Sequence, residues 1–238
     1  MVAHWGTDDP VCDIGPFAWG DGIVDLQDLI VLAEYLGKEF VDPTLIAHWA
    51  LDESEGSIAN DSISGDDAYV MGEPIWQPTG GMKGGALEFD GVDDCIITSF
   101  ALDPSEGPFS ILAWVKGGAP DQVVISHSQG FGGDNLLMVG AEGRLMTEFG
   151  SSDGTNNALL SETDITDGKW HRVGLVWDGS YSHLYVDGAE VARDDAPLSS
   201  LESGEGGVYI GAGNGIEPGS LWSGLIDDVR IYNRVVSP

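Results

Sequence analysis

The sequence predicts an all-β protein: an antiparallel β-sandwich of the jelly-roll kind, with a short N-terminal calcium-loop-plus-helix appendage. Three observations carry this. From about residue 45 the apolar residues recur with period two; turn signals interrupt them every ~8 to 15 residues; and no second helical stretch breaks the series. The 35 glycines fit such a turn-rich chain, and 238 residues suffice for one large sandwich and a small appendage. The expected division is 1–42 for the appendage and 43–238 for the sandwich. It falls in KEFVDPT, where a proline and two acids separate two kinds of sequence.

The appendage opens with WGDGIVDLQDL, residues 19–29. Asp21, Gly22, Asp25 and Asp28 occupy positions 5, 6, 9 and 12 of a twelve-residue calcium loop, but positions 1 and 3 hold Phe17 and Trp19, which offer no side-chain oxygen. A loop lengthened by four residues recovers Asp13 as a first ligand. Asp13, Asp21, Asp25 and Asp28 then give carboxylates and Ile23 its carbonyl. The alternative is that Asp25 and Asp28 only favour the positive end of the following helix, at ~0.3 to 1 kcal/mol each. That helix is marked by Leu26, Leu29, Ile30, Ala33 and Leu36 at helical period, with Gly37 at its C-terminal cap.

The expected strands follow in order: FSILAWVK (109–116), VVISHS (123–128), RLMTEF (144–149), KWHRVGLVWD (169–178), HLYVDG (183–188), VYIGAG (208–213) and LIDDVRIY (225–232). Each is rich in β-branched or aromatic residues and bounded by Gly, Asp, Asn or Pro. In the fourth, alternation puts His171, Val173, Leu175 and Trp177 on one face and Trp170, Arg172, Gly174 and Val176 on the other. Trp170 and Trp177 are read as packing residues, and Asp178-Gly179 turns the chain into HLYVDG as a hairpin. The glycine-rich stretches GFGGDN (130–135), GSSDGTNN (150–157) and GAGNGIEPGS (211–220) are expected as rim loops, where function concentrates.

Charge narrows the partners. Nine Lys and Arg stand against 40 Asp and Glu, a formal net charge of -31, which opposes nucleic acid and anionic membranes and attracts cations. The longest apolar run, Leu29 to Ala33, is far short of the ~20 residues of a membrane helix, so no membrane insertion is expected. No basic, apolar and cleavage regions open the chain, which is expected to be part of a longer secreted or cell-surface protein. Cys12 and Cys95 are read as two unpaired thiols.

Four separated motifs, LIAHWALDESEG, GGALEFDGVDD, DGKWHRVGLVWDGSYSHLYVDG and GLIDDVRIYNRVVSP, occur in order. Together they resemble the bacterial laminin-G-like jelly-roll modules of the concanavalin A-like lectin and glucanase superfamily, over roughly residues 45–238. That resemblance implies calcium at one edge of the sandwich, with Asp227 before the last strand's Arg-x-Tyr, Asp52 and Asp61 near the first strand, and Asp90 as a further ligand. Asp228 is set aside because neighbouring strand residues face opposite ways. The alternative for Asp61 and Asp90 is that they shape turns. The opening loop and helix likewise resemble half of a dockerin-type repeat, a unit that docks extracellular proteins together; a dockerin pairs two such units, and no second loop follows between 37 and 44.

Glucanases of the superfamily place acids as Glu-x-Asp-x-x-Glu on one strand, and Glu88 to Asp93 comes close. Gly91 breaks that strand, so no catalytic residue is assigned, and Glu88 and Asp93 stand only as the runner-up pair. None of the five histidines lies at zinc-ligand spacing. The expected function is a non-catalytic, calcium-containing extracellular module that binds a polysaccharide or glycoconjugate, or adheres to another extracellular protein. Phe131, Asn135, Asn156, Asn157, Asn214 and Trp222, near the glycine-rich loops, are the candidate ligand contacts. The alternatives are a glycoside hydrolase or polysaccharide lyase on the same scaffold, and a purely structural module with no sugar ligand.

Overall fold

The computed structural model describes residues 42–102, 106–128, 133–149, 157–194 and 206–236. Chain contacts divide the protein into Met1–Pro43 and Thr44–Pro238. The calcium-loop residues Asp13, Asp21, Ile23, Asp25 and Asp28, with Cys12, lie outside the described residues.

Among the described residues, sixteen strands form two eight-stranded antiparallel sheets. The first holds β1 (Leu45–Trp49), β4 (Ile75–Gln77), β5 (Ala86–Asp90), β7 (Phe109–Gly117), β12 (His171–Trp177), β13 (Ser182–Val186), β14 (Ala189–Arg193) and β16 (Ser223–Tyr232). Its order is β14-β13-β12-β7-β16-β5-β4, with β1 also paired to β16. The second holds β2 (Ile58–Ala59), β3 (Ala68–Met71), β6 (Cys95–Ala101), β8 (Val123–Ser128), β9 (Gly133–Val139), β10 (Arg144–Phe149), β11 (Asn157–Asp164) and β15 (Gly207–Ile210). Its order is β11-β10-β9-β8-β15-β6-β3-β2.

Period-two alternation builds the core. From β12, Val173, Leu175 and Trp177 turn inward beside Phe109, Ile111, Ala113 and Val115 of β7. Ile96, Phe100, Leu145, Phe149, Val208 and Ile210 close it from the second sheet. Trp49 of β1 and Phe100 of β6 meet edge to face, with centroids 5.9 Å apart and planes at 82°, so one aromatic contact ties the two sheets.

Two expectations change. Gly133 to Asn135, expected in a rim loop, form the start of β9, because the apolar Leu136 to Val139 continue as one strand and carry the glycine-rich lead into the sheet. Trp222, a candidate sugar platform, is fully buried in the core. Its ring lies under Gly118, which has φ +83° and whose added Cβ would sit 2.4 Å from the indole; only glycine lets the backbone come so close. Cys95 is a buried free thiol. No helix among the described residues is long and apolar enough to cross a membrane.

Histidines lock the hairpin corners. His171 holds the Asp187 carboxylate through Nδ1 at 2.9 Å and that of Asp167 through Nε2 at 3.0 Å, while Asp187 also accepts the Arg172 amide at 2.9 Å. Burial lowers the His171 pKa, but the hydrogen bonds to Asp187 and Asp167 outweigh it and leave it above the usual histidine value of 6.5. The clamp therefore contributes stability below about pH 6.5 that fades as pH rises through the higher folded-state value. Thermal melts from pH 6 to 9 should show His171→Gln losing more stability at pH 6 than at pH 9; an equal loss across that range would refute the clamp. Trp222→Ala should lower unfolding free energy by about 3–5 kcal/mol in urea titration, whereas a loss below 1 kcal/mol would contradict its place in the core.

Candidate functional site

The last strand creates the first acidic corner. In β16, Ile226, Val229 and Ile231 face the core. Ile226 and Val229 are three apart, a spacing that regular alternation forbids. The chain resolves it with a bulge between Asp227 and Arg230, in which Asp228 takes φ +50°. Both acids are thereby buried outside the apolar cluster, and they take different partners.

Asp228 is neutralised by two protein cations, Lys83 and Arg230, and hydrogen-bonded by His48. Its carboxylate meets His48 Nε2 at 2.9 Å, Lys83 Nζ at 2.9 Å and Arg230 Nη2 at 2.8 Å. Burial opposes its ionisation, yet the hydrogen bonds from His48 and Lys83 and the Arg230 charge prevail and hold its pKa at about 2. Asp227 is less complete. Its Oδ2 accepts the amides of Met82 at 2.6 Å and Lys83 at 2.9 Å, but its Oδ1 is buried without a hydrogen-bond partner. Burial, reinforced by the charges of Asp228 and Asp52 against those two amides, pushes its pKa up to about 6.

The loop GGMKGG, residues 80–85, brings Asp52 and Asp227 together. A Cβ on Gly81 would lie 2.7 Å from Asp227 Oδ2, and one on Gly84, at φ +86°, 2.3 Å from Asp52 Oδ1. The Gly85 amide bonds the Asp52 carboxylate. This corner offers oxygen ligands, an orphan buried carboxylate oxygen and a second carboxylate. That donor set fits a hard divalent cation.

Asp61 stands apart from this corner. Its Oδ1 accepts the amides of His48 at 3.0 Å, Ile63 at 2.8 Å and Ser64 at 3.2 Å, and its other oxygen bonds the Ser64 hydroxyl. It pins the turn after β2 to β1. Asp90 belongs to a second corner at the β5–β6 turn, where ligand oxygens of Asp90, Asp93 and Asp94 lie within 4.8 Å of one another and could hold a metal ion. Asp94 is buried and accepts the amides of Glu73 and Asp90, each at 2.9 Å, while burial raises its pKa. Sequence reading passed over Asp94, although the run of acids in FDGVDD was its signal.

Glu88 lies within β5 and accepts Gln77 Nε2 at 2.7 Å, whereas Asp93 lies beyond the strand's end at Asp90. The runner-up catalytic acids thus occupy different elements. Asn214 donates to the Gly133 carbonyl at 2.6 Å and ties the 211–220 loop to β9. Asn135 stands on β9, its amide 3.4 Å from Glu148 of β10. Asn157 begins β11, and Phe131 and Asn156 lie outside the described residues.

No curated protein sequence matches the chain. Similar solved structures include domain 4 of AbnA, a GH43 extracellular arabinanase from Geobacillus stearothermophilus, in complex with arabinotriose. It shares 19% identity at TM-score 0.67, over 82% of this chain and 95% of that domain. The binding domain of Paraclostridial Mosquitocidal Protein 1 shares 12% identity at TM-score 0.59, over 81% of this chain and 49% of that one. Trypanosoma rangeli sialidase in complex with 2,3-difluorosialic acid shares 15% identity at TM-score 0.56, with 82% and 32% covered. The chain thus spans about half of the second protein and a third of the third; at these identities the likeness is one of fold. The family profile described as the concanavalin A-like lectin/glucanases superfamily matches residues 89–238, more than half of the sequence. The chain belongs to the concanavalin A-like lectin/glucanases superfamily.

Proposed function

We propose that this chain is a non-catalytic carbohydrate-binding module that works outside the cell and carries a structural calcium ion. The observation that carries the sugar reading is the likeness to a single complete domain, 95% covered, that is bound to arabinotriose. The separation of Glu88 from Asp93 on different elements supports binding over hydrolysis. Asp227 and Asp52 would hold the ion, with carbonyls of the 81–85 loop completing an oxygen shell. Calcium would supply the positive charge that Asp227 lacks and fasten β16 to the segment after β1.

Metal-free protein should reveal Asp227 as a liability. Its carboxyl has an ordinary value of 3.8 and a folded value of about 6, so the charged form costs stability progressively as pH rises through that interval. Asp227→Asn should therefore stabilise chelator-stripped protein at pH 7 by roughly 2–3 kcal/mol from that shift, read as a higher melting temperature, and should abolish the further rise that millimolar calcium gives the wild type. If calcium stabilises Asp227→Asn as much as the wild type, the ion is not held there; equal loss in an Asp93→Asn variant alone would move it to the second corner.

Affinity electrophoresis through gels containing arabinan, xylan or β-glucan should retard the wild-type chain, with no reducing ends released on long incubation. Absence of retardation in every gel would sink the sugar reading. Release of reducing ends that disappears in Glu88→Ala would replace it with hydrolysis.

A further inference from the structure

Two of the described histidines are each held between a pair of carboxylates. His171, which begins β12, has Nδ1 2.9 Å from Asp187 and Nε2 3.0 Å from Asp167. His183, in β13, has Nδ1 3.3 Å from Glu190 and Nε2 3.2 Å from Asp178. A neutral imidazole carries one N–H and donates to one carboxylate at most, so only the imidazolium satisfies both. His48 differs, because its Nδ1 meets the Ser62 hydroxyl, which can donate or accept. The geometry at His171 and His183 is thus that of protonated rings.

The two clamps stand at opposite ends of β13, next to the edge of the first sheet, where β14 is the last strand. At one end Asp187 opens the turn from β13 into β14, and His171 ties it back to β12. At the other, Asp178 opens the turn from β12 into β13 and accepts the amides of Ser180 and Tyr181, each at 2.8 Å. His183 joins that turn to Glu190 on β14. No residue of β14 is fully buried, so little apolar packing fixes this edge. We propose that His171 and His183 form a pH-sensitive latch on the β13–β14 hairpin: the protonated pair fastens the sheet edge, and loss of their protons loosens it while the rest of the sandwich stays folded.

The groups around each ring set the direction. His171 faces Asp167 and Asp187, and the one like charge beside it, Lys169, is bonded to Asp167. His183 faces Asp178 and Glu190; Arg193 is its register partner on β14, and the Tyr185 hydroxyl meets Glu190 at 3.3 Å. The cross-strand neighbours on the other side, Val115 of β7 for His171 and Val176 of β12 for His183, carry no charge. Burial lowers the His171 pKa, but its hydrogen bonds outweigh that and keep it above 6.5. The latch is therefore closed below about pH 6.5 and opens as pH rises through the folded-state value. It is independent of any glycan, and makes the edge of the module tighter in acid than in alkali.

Hydrogen–deuterium exchange of the full chain at pH 6 and pH 8.5, read by mass spectrometry and converted to protection factors, tests the latch. Peptides covering β13 and β14 should lose roughly tenfold in protection at the higher pH, the scale of one hydrogen bond to a charged group. Peptides covering β9 and β10 should change by no more than about twofold. His183→Gln keeps a donor but has no proton to lose, so it should shrink the drop, and combining it with His171→Gln should remove it. Glu190→Gln, an exposed change on the acceptor side, should shrink the drop as His183→Gln does. Equal hairpin protection at both pH values in the wild type would overturn the latch. A drop shared by β9 and β10 would overturn it too, because the effect would then belong to the whole fold. A full drop persisting in the double variant would take it away from these histidines.

Discussion

Two carboxylates buried side by side in the strand that three neighbours share form the constraint around which the first sheet is organised. β16 pairs with β1, β5 and β7, so it cannot swing outward to expose Asp227 and Asp228 to water. Burying an unpaired charge is far more costly than losing a single hydrogen bond. The bulge at Asp228 sends the acids to separate partners, and those partners then have to be brought in: His48 from β1, Lys83 and two amides from the 81–85 loop, and Arg230 from β16 itself. The glycines of that loop follow from this demand, since a side chain at Gly81 or Gly84 would collide with the carboxylates the loop approaches.

Compensation is unequal, and the inequality points to function. Asp228 has the cations Lys83 and Arg230 and a hydrogen bond from His48, whereas Asp227 has amides alone, so one site is finished by the protein and the other retains a charge deficit. A buried network that is complete rigidifies its surroundings; here the Asp227 Oδ1 is left without a partner, and it is this group that the proposed calcium would meet. Excess acidity elsewhere acts differently. Other acids shape turns, as buried Asp61 and exposed Asp90 do through amide hydrogen bonds, and the exposed ones together set a negative field that favours cations and neutral ligands over polyanions.

The sandwich was legible in the sequence because strands with one wet face announce themselves by alternation. RLMTEF and VVISHS coincide with β10 and β8, and WHRVGLVW turned the side of Val173, Leu175 and Trp177 inward as alternation required. Short edge strands such as Ile58–Ala59 and Ile75–Gln77 were not, since two or three residues contain no period to detect. The pairing of Asp52 with Asp227 followed from resemblance, while the reason both neighbouring acids are buried did not: a bulge is a two-against-one register between strands far apart in sequence. Trp222 misled for a related reason. A tryptophan beside a glycine-rich loop reads as exposed, and only the approach of Gly118 across 104 positions shows the ring to be covered.

The same long-range logic hides the outer side of the second sheet from the sequence. Tyr69 and Tyr209 are 140 positions apart, each an ordinary outward residue in a short strand, and nothing local links them. Sheet register makes them neighbours by way of Ile97. The 211–221 segment then covers the middle of that outer side: Ile97 packs against Cys95, Ala212 and Leu221, and Ser126 is fully buried, its hydroxyl donating to the Ala212 carbonyl at 2.8 Å. Both sheets thus use a loop to cover part of an outer side, the first over paired acids and the second over a small apolar cluster, and in each case the residues covered and the residues covering are too far apart in sequence for any local pattern to announce them.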